Sequence, residues 1–260
     1  MKLESASLLT PLPAGSATAP AAHFGVRATH HSVSAPATPA ARPAAARPSC
    51  RGEVESPAEA GAGRTSRASA YGWRAMAWLV AATALTAVGG LAWLPMPFPQ
   101  VILAVTTAAL VLCFGRGRSF RAWILGLDLR MLLLPHLTRF VGGWFIVLHF
   151  RSELPYAFAV PGGIGDLAAA VTAIAIACVP ARRPAGRWAW IAWNTFGLAD
   201  ILFVVATAAR LGLADPASMA ALTRFPLGLL PTFIVPLILF SHVAIYVRLF
   251  APRTTEAQVR

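Results

Sequence analysis

The chain is 260 residues long, 57% hydrophobic and only 12% charged, with a mean hydropathy of +0.63, which excludes an ordinary water-soluble domain. Its formal charge of +12 has the sign of a nucleic-acid binder, yet the basic residues are almost all arginine and fall in short bursts between apolar runs, the pattern that orients a membrane protein. Three cysteines, two of them (Cys113 and Cys178) inside apolar runs, supply neither a closed disulfide set nor a CxxC metal site.

Residues 1–72 are mostly Ala, Pro, Ser, Thr and Arg with few large apolar side chains after Leu12. Such a segment buries too little surface to offset the entropy of ordering, and a disordered tail is expected. No apolar stretch of signal-peptide length follows Met1 and Lys2, so no cleavable signal is expected. A leader of this composition is also what a GC-rich region upstream of a gene yields when translated, which makes Met76 a second candidate start. His23, His30 and His31 are too sparse in a flexible segment to be assigned a metal.

From Ala75 the apolar runs reach the length that crosses a hydrocarbon core of roughly 30 Å, about 20 helical residues. The first is Ala75–Leu94 and the second Phe98–Phe114, joined by a proline-rich turn (Pro95, Pro97, Pro99) that reads as the corner of an antiparallel pair. The stretch 120–150, interrupted by Asp128, Arg130, Pro135, His136 and Arg139, is too long for one span and short for two. It divides into an interfacial helix, 121–131, and a third span, 132–150. The fourth, fifth and sixth spans are Pro155–Val179, Trp188–Ala209 and Phe225–Phe250, followed by a short C-terminal tail, 252–260. The expected fold is an all-α integral membrane protein: six transmembrane helices in a domain over 73–251, an interfacial helix before the third, and a disordered N-terminal tail.

Six spans place the N-terminal tail, Arg116/Arg118/Arg121, Arg182/Arg183/Arg187 and Arg248/Arg253/Arg260 on one face, leaving Arg151, Arg210 and Arg224 on the other. That asymmetry puts both termini in the cytoplasm. Trp73, Trp123 and Trp188 then lie near the inner interface and Trp93 near the outer one. Gly89-Gly90, Gly142-Gly143 and Gly162-Gly163 are expected to let helices approach closely.

Along an ideal helix, Arg139 lies about 17 Å from the outer end of the third span, Asp166 about 17 Å into the fourth and Asp200 about 14 Å from the outer end of the fifth. A lone charge at mid-membrane costs about 2.5–3.5 kcal/mol on insertion scales, so three at one depth point to a cluster across facing helices. One arginine against two aspartates leaves a surplus carboxylate that takes a proton or a cation; an ion pair that merely fixes packing explains the same residues. A second polar layer, His136, Asn194 and His242, falls about 21–26 Å from the outer surface. Two histidines at one level also fit axial haem ligands. His149 matches neither layer. Pro161-Gly162-Gly163 before Asp166, and Pro231 and Pro236 in the sixth span, are expected to break their helices, as at the ion and substrate sites of secondary transporters. Gly163-Ile164-Gly165-Asp166-Leu167-Ala168 matches a GxGxxA pattern only formally, since it lies within a span and follows no strand. No catalytic motif is present, so no enzyme is expected.

The segments LTRFVGGWFIVLHFRSELPYAFAVPGGIGD and FPLGLLPTFIVPLILFSHVAIYVRL, within residues 137–249, resemble a family of uncharacterised multi-pass bacterial inner-membrane proteins. The resemblance implies a bacterial inner-membrane location and no substrate. The functional expectation is a proton- or cation-coupled carrier of a small solute with a polar site at mid-membrane. The alternatives are a non-catalytic structural or accessory subunit, and a haem-binding electron-transfer subunit resting on His136 and His242. Expected partners are the lipid bilayer and a small solute or proton, with no nucleic acid, metal or other cofactor.

Overall fold

The computed structural model describes residues 57–251, with side chains from Ser69 onward. Residues 1–56, with His23, His30 and His31, and residues 252–260 lie outside the described residues. The described chain is all-helical: α1 (Pro57–Ala87), α2 (Phe98–Arg116), α3 (Arg118–Gly126), α4 (Leu134–Leu137), α5 (Gly142–Phe150), α6 (Tyr156–Ala177), α7 (Pro184–Ala214) and α8 (Val235–Phe250), joined by 3₁₀ and π turns. Five helical stretches are long and apolar enough to cross a membrane: Phe98–Arg116, Leu129–Phe150, Tyr156–Ala177, Pro184–Ala214 and Leu230–Phe250.

α1 differs from expectation at both ends. It starts at Pro57, inside the segment read as tail: Ala, Arg and Glu are strong helix formers, proline is favoured at the first helical position, and extending a formed helix costs far less than nucleating one. It stops at Ala87 rather than Leu94, because Gly89 adopts φ 72°, a left-handed conformation that ends the helix before the 3₁₀ turn Gly90–Trp93. Gly89 therefore terminates a helix, and nothing lies within 4 Å of where its Cβ would stand, so no close helix approach requires it. The apolar part of α1 is thus shorter than a full span.

The expected interfacial helix is also displaced. α3 ends at Gly126 rather than running to Met131, since Asp128 caps the following 3₁₀ turn (Leu129–Leu133) by accepting the Arg130 N–H at 2.8 Å. Pro135 has no N–H to offer the Met131 carbonyl, so Leu134 N–H takes that carbonyl one residue early and the chain tightens into 3₁₀ geometry. A second 3₁₀ turn, Thr138–Val141, carries Arg139 into α5.

Pro161 does not break its helix; α6 runs through it unbroken. It is the sixth residue of α6, so the one bond it forgoes is to the Ala157 carbonyl in the first turn, and the rest of the helix is kept. Pro231 and Pro236 do not break theirs either: the helix is continuous over Leu230–Phe250, but it takes π geometry over Leu230–Ile234 before α8. Pro236 leaves the Thr232 carbonyl without its helical donor, and the Trp78 indole of α1 supplies one at 3.1 Å.

Two apolar clusters form the core. One gathers Phe114, Leu132, Leu133, Ala173, Trp190, Trp193, Phe240 and Ile245. The other gathers Phe145, Phe158, Ile201, Val204, Met219 and Ile238. Large apolar side chains on the outside, among them Val105, Leu112, Val171 and Leu202, form the surface a membrane helix shows to lipid. Met96 packs near Gly212 at one end of the bundle. At the other, Arg248 donates to the Leu127 carbonyl and the Trp190 indole to the Val179 carbonyl.

Candidate functional site

Arg139, Asp166 and Asp200 meet as the sequence predicts. Arg139 Nε donates to Asp166 Oδ1 at 2.7 Å, its Nη1 donates to the Gly197 carbonyl at 2.9 Å, and its Nη2 donates to Asp200 Oδ2. Arg139 is 1% exposed and Asp166 3%; the Asp200 side chain is 11% exposed. Guanidinium geometry explains why this residue is an arginine. A planar fork presents donors to two carboxylates on different helices at once, which a lysine ammonium does not reproduce.

Glycines make the approach possible. A Cβ on Gly142 would lie 2.5 Å from the Gly163 carbonyl oxygen and 2.7 Å from Asp166 Cβ, and one on Gly163 would lie 2.5 Å from the Gly142 carbonyl oxygen. α5 and α6 therefore touch backbone to backbone directly beside the ion pair. Gly165 leaves the volume that the Asp200 carboxylate fills, since a Cβ there would stand 2.6 Å from Asp200 Cγ. Gly197 leaves room for His242 and Arg139, 3.0 and 3.4 Å from the same construction. Gly142 and Gly163 belong to the pairs expected to pack closely. Gly165 and Gly197 were legible only as members of spans, because their role comes from side chains on other helices.

The second layer also assembles. His242 Nδ1 is 2.8 Å from Asn194 Oδ1, while Asn194 Nδ2 donates back to the His242 carbonyl at 3.2 Å. His136 Nε2 is 2.9 Å from the Ser241 hydroxyl, a residue absent from the predicted layer. The two imidazoles touch edge to face with centroids 4.5 Å apart, and Trp193 packs on His136 at 4.9 Å. Rings in contact leave no space for an iron atom between them, so this geometry does not fit a pair of axial haem ligands. Asn194→Leu should leave His242 Nδ1 buried without its partner and cost about 1–3 kcal/mol, measurable as a lower midpoint in thermal or denaturant unfolding in detergent. Asn194→Asp, which keeps an acceptor oxygen for His242 Nδ1, should recover part of that loss.

Beside the triad is a cavity of about 90 Å³. Its wall is apolar, with Leu103, Phe145, Phe158, Ile201 and Val204 prominent, and Arg139 and Asp166 line it too. Met96 and Thr223 are shared with a wider recess lined by Trp93, Pro95, Ala220 and Arg224. Gln100, on α2, is the cavity residue that sequence reading missed; one amide inside an apolar run gives no signal of what faces it.

These features define a helical membrane protein with a buried ion triad at the edge of an apolar cavity. Residues 96–250, more than half of the chain, match the family described as a domain of unknown function, DUF8737, and the chain belongs to that family. The match takes in the triad, the second layer and the cavity, and starts beyond α1. No curated protein and no solved structure matches the chain.

Proposed function

We propose that this is a multi-pass protein of the bacterial inner membrane that binds a small solute beside the Arg139–Asp166–Asp200 triad and carries it in exchange for, or together with, a proton or cation. The observation that carries the reading is the cavity whose apolar wall ends on Arg139 and Asp166. A purely structural ion pair has no need of a cavity, and two carboxylates against one guanidinium leave one negative charge for a proton or cation to neutralise. The π turn over Leu230–Ile234, whose Leu230, Pro231 and Ile234 line the same cavity, is the kind of irregular backbone that lines membrane cavities. Thermal unfolding of the purified protein against a panel of small solutes and ions tests the reading: a saturable upward shift supports it. No shift with any member, together with no solute flux in proteoliposomes, would remove it.

In the membrane we place α1, completed by the turn at Gly90–Trp93, as the first of six spans, α3 as an interfacial helix, and both termini in the cytoplasm. The arginine clusters support this orientation: Arg116, Arg118, Arg182, Arg183, Arg187 and Arg248 share one face and Arg151, Arg210 and Arg224 the other. Reporter fusions after Arg118, Arg187 and Arg260 should read cytoplasm, and fusions near Pro97, Glu153 and Pro216 the outside. An external C-terminus would overturn the arrangement.

The second reading, a structural or accessory subunit, draws on one observation. Each Arg139 nitrogen already has a partner, as a helix lock requires. Asp200→Asn separates the two readings: a lock loses stability in proportion to the pairing, whereas a carrier also loses its solute- or ion-dependent shift.

A further inference from the structure

We propose that the solute of this cavity is a small organic ammonium ion, a protonated amine with a short apolar chain, and that it competes with a proton for the surplus negative charge of the triad. The inference rests on the solute-site reading above and names the chemical class.

The hydrogen-bonding inventory of the wall is one-sided. Gln100 Oε1 is buried with no partner, while the amide nitrogen of the same side chain is already engaged on Met96 Sδ at 3.4 Å. The Thr138 hydroxyl spends its proton on the Pro135 carbonyl at 2.6 Å and the Thr223 hydroxyl on the Ala220 carbonyl at 2.8 Å, so each presents only lone pairs. Asp166 brings a carboxylate of which Oδ1 faces Arg139. Three of the five N–H groups of Arg139, one on each nitrogen, are directed at protein oxygens. Away from Arg139 the free polar atoms of the wall are mostly acceptors, Gln100 Oε1 and the Thr138 and Thr223 lone pairs, and a ligand that brings donors suits them. An ammonium brings three with a positive charge; a carboxylate brings none.

Charge gives the same sign. Arg139 from the 3₁₀ turn at Thr138–Val141, with Asp166 from α6 and Asp200 from α7, sums to minus one when both carboxylates are ionised. The other titratable groups packed there are His136 on α4 and His242 on α8, which bond Ser241 and Asn194 through one ring nitrogen each, and the α2 residues that line the cavity, Pro99, Gln100 and Leu103, carry no ionisable group. Arg224 stands in the outer recess, is exposed to solvent and is screened there. A cation at Asp166 restores neutrality, as does one proton. When the carboxylic acid meets the ammonium, the proton leaves for water and the ion pair replaces it, so one cation bound releases one proton. The rings of Phe145 and Phe158, tilted against each other at 50° with centroids 5.1 Å apart, and the aliphatic wall take the carbon chain.

The test is calorimetric titration of the full-length protein in detergent with n-butylammonium, n-butanol and n-butyrate, which share a chain and differ in charge. The expected result is saturable binding of n-butylammonium alone, weaker as pH falls and accompanied by proton release that changes the measured heat with the ionisation enthalpy of the buffer. Gln100→Leu, which leaves the triad untouched, should weaken that binding about tenfold. Ala208→Phe, which fills the cavity without changing its charge, should abolish it, and unchanged far-ultraviolet circular dichroism and arginine-triad stability will show that each variant is folded. Binding of n-butyrate, or equal binding of n-butanol, overturns the ammonium assignment while leaving a solute site in place. Silence of all three, with the wider solute panel silent as well, removes both the assignment and the carrier reading.

Discussion

Arg139→Ala should be among the most destabilising single substitutions in the protein, with a loss of about 3–5 kcal/mol, because it leaves two carboxylates in a site where one guanidinium neutralised both. The measurement is unfolding in detergent followed by tryptophan fluorescence. The informative experiment is the cycle. In the wild type, Asp166→Asn leaves Arg139 Nε facing a neutral amide at a position 3% exposed, and should be costly. In the Arg139→Ala background the same change removes an unpaired buried charge and should recover part of the loss. The coupling between the two positions is then about 0.5–3 kcal/mol. Asp200 should couple more weakly, since its side chain reaches partial solvent exposure and a more exposed pair is worth less. Strict additivity at both aspartates would mean that the charges do not interact and would dismantle the site. Arg139→Lys is the matching control: charge is kept, but one ammonium does not serve two carboxylates and a carbonyl on two helices, so stability should return only in part.

The triad was legible in the sequence because cost and geometry act on few variables. A charge in an apolar run is expensive, a helix rises by a fixed step, and counting from the span ends therefore put Arg139, Asp166 and Asp200 at one depth. The same counting found His136, Asn194 and His242. Depth carries no information about azimuth, and for that reason Ser241, one residue before His242, was missed as the partner of His136. Helix ends were less legible for a local reason. Gly89 stops α1 by taking a left-handed conformation, and Asp128 splits 120–150 by capping a turn; both residues have several possible roles, and neighbours decide among them. Pro161 was read as a break, but proximity to the start of α6 leaves it within a continuous helix. The cavity was not legible at all. Gln100, Phe145, Phe158 and Met219 come from separate elements, and their convergence is a property of packing.

The second large effect concerns the backbone contact that sets the triad's geometry. Gly163→Ala should cost several kcal/mol although it adds one methyl group, because the new Cβ would stand 2.5 Å from the Gly142 carbonyl oxygen and 2.9 Å from Ile146 Cγ1. The first of these is backbone, so relief requires α5 and α6 to separate. Overpacking in a close-packed interior costs about 1–3 kcal/mol or more, and separation also lengthens the 2.7 Å bond between Arg139 and Asp166, adding part of the ion-pair loss. Gly143, next to Gly142 in α5, gives the opposite result. A Cβ there meets only Leu167 Cδ2, at 3.8 Å, an ordinary contact, and alanine is the better helix former by about 1 kcal/mol, so Gly143→Ala should be neutral or slightly stabilising. Two glycines of the same helix pair thus predict opposite signs in one unfolding assay. A further substitution ties the contact to the charges: in an Arg139→Met/Asp166→Leu background, which removes the ion pair, Gly163→Ala should lose only its steric part. If it costs the same in both backgrounds, the glycine contact and the ion pair are independent features that merely lie side by side.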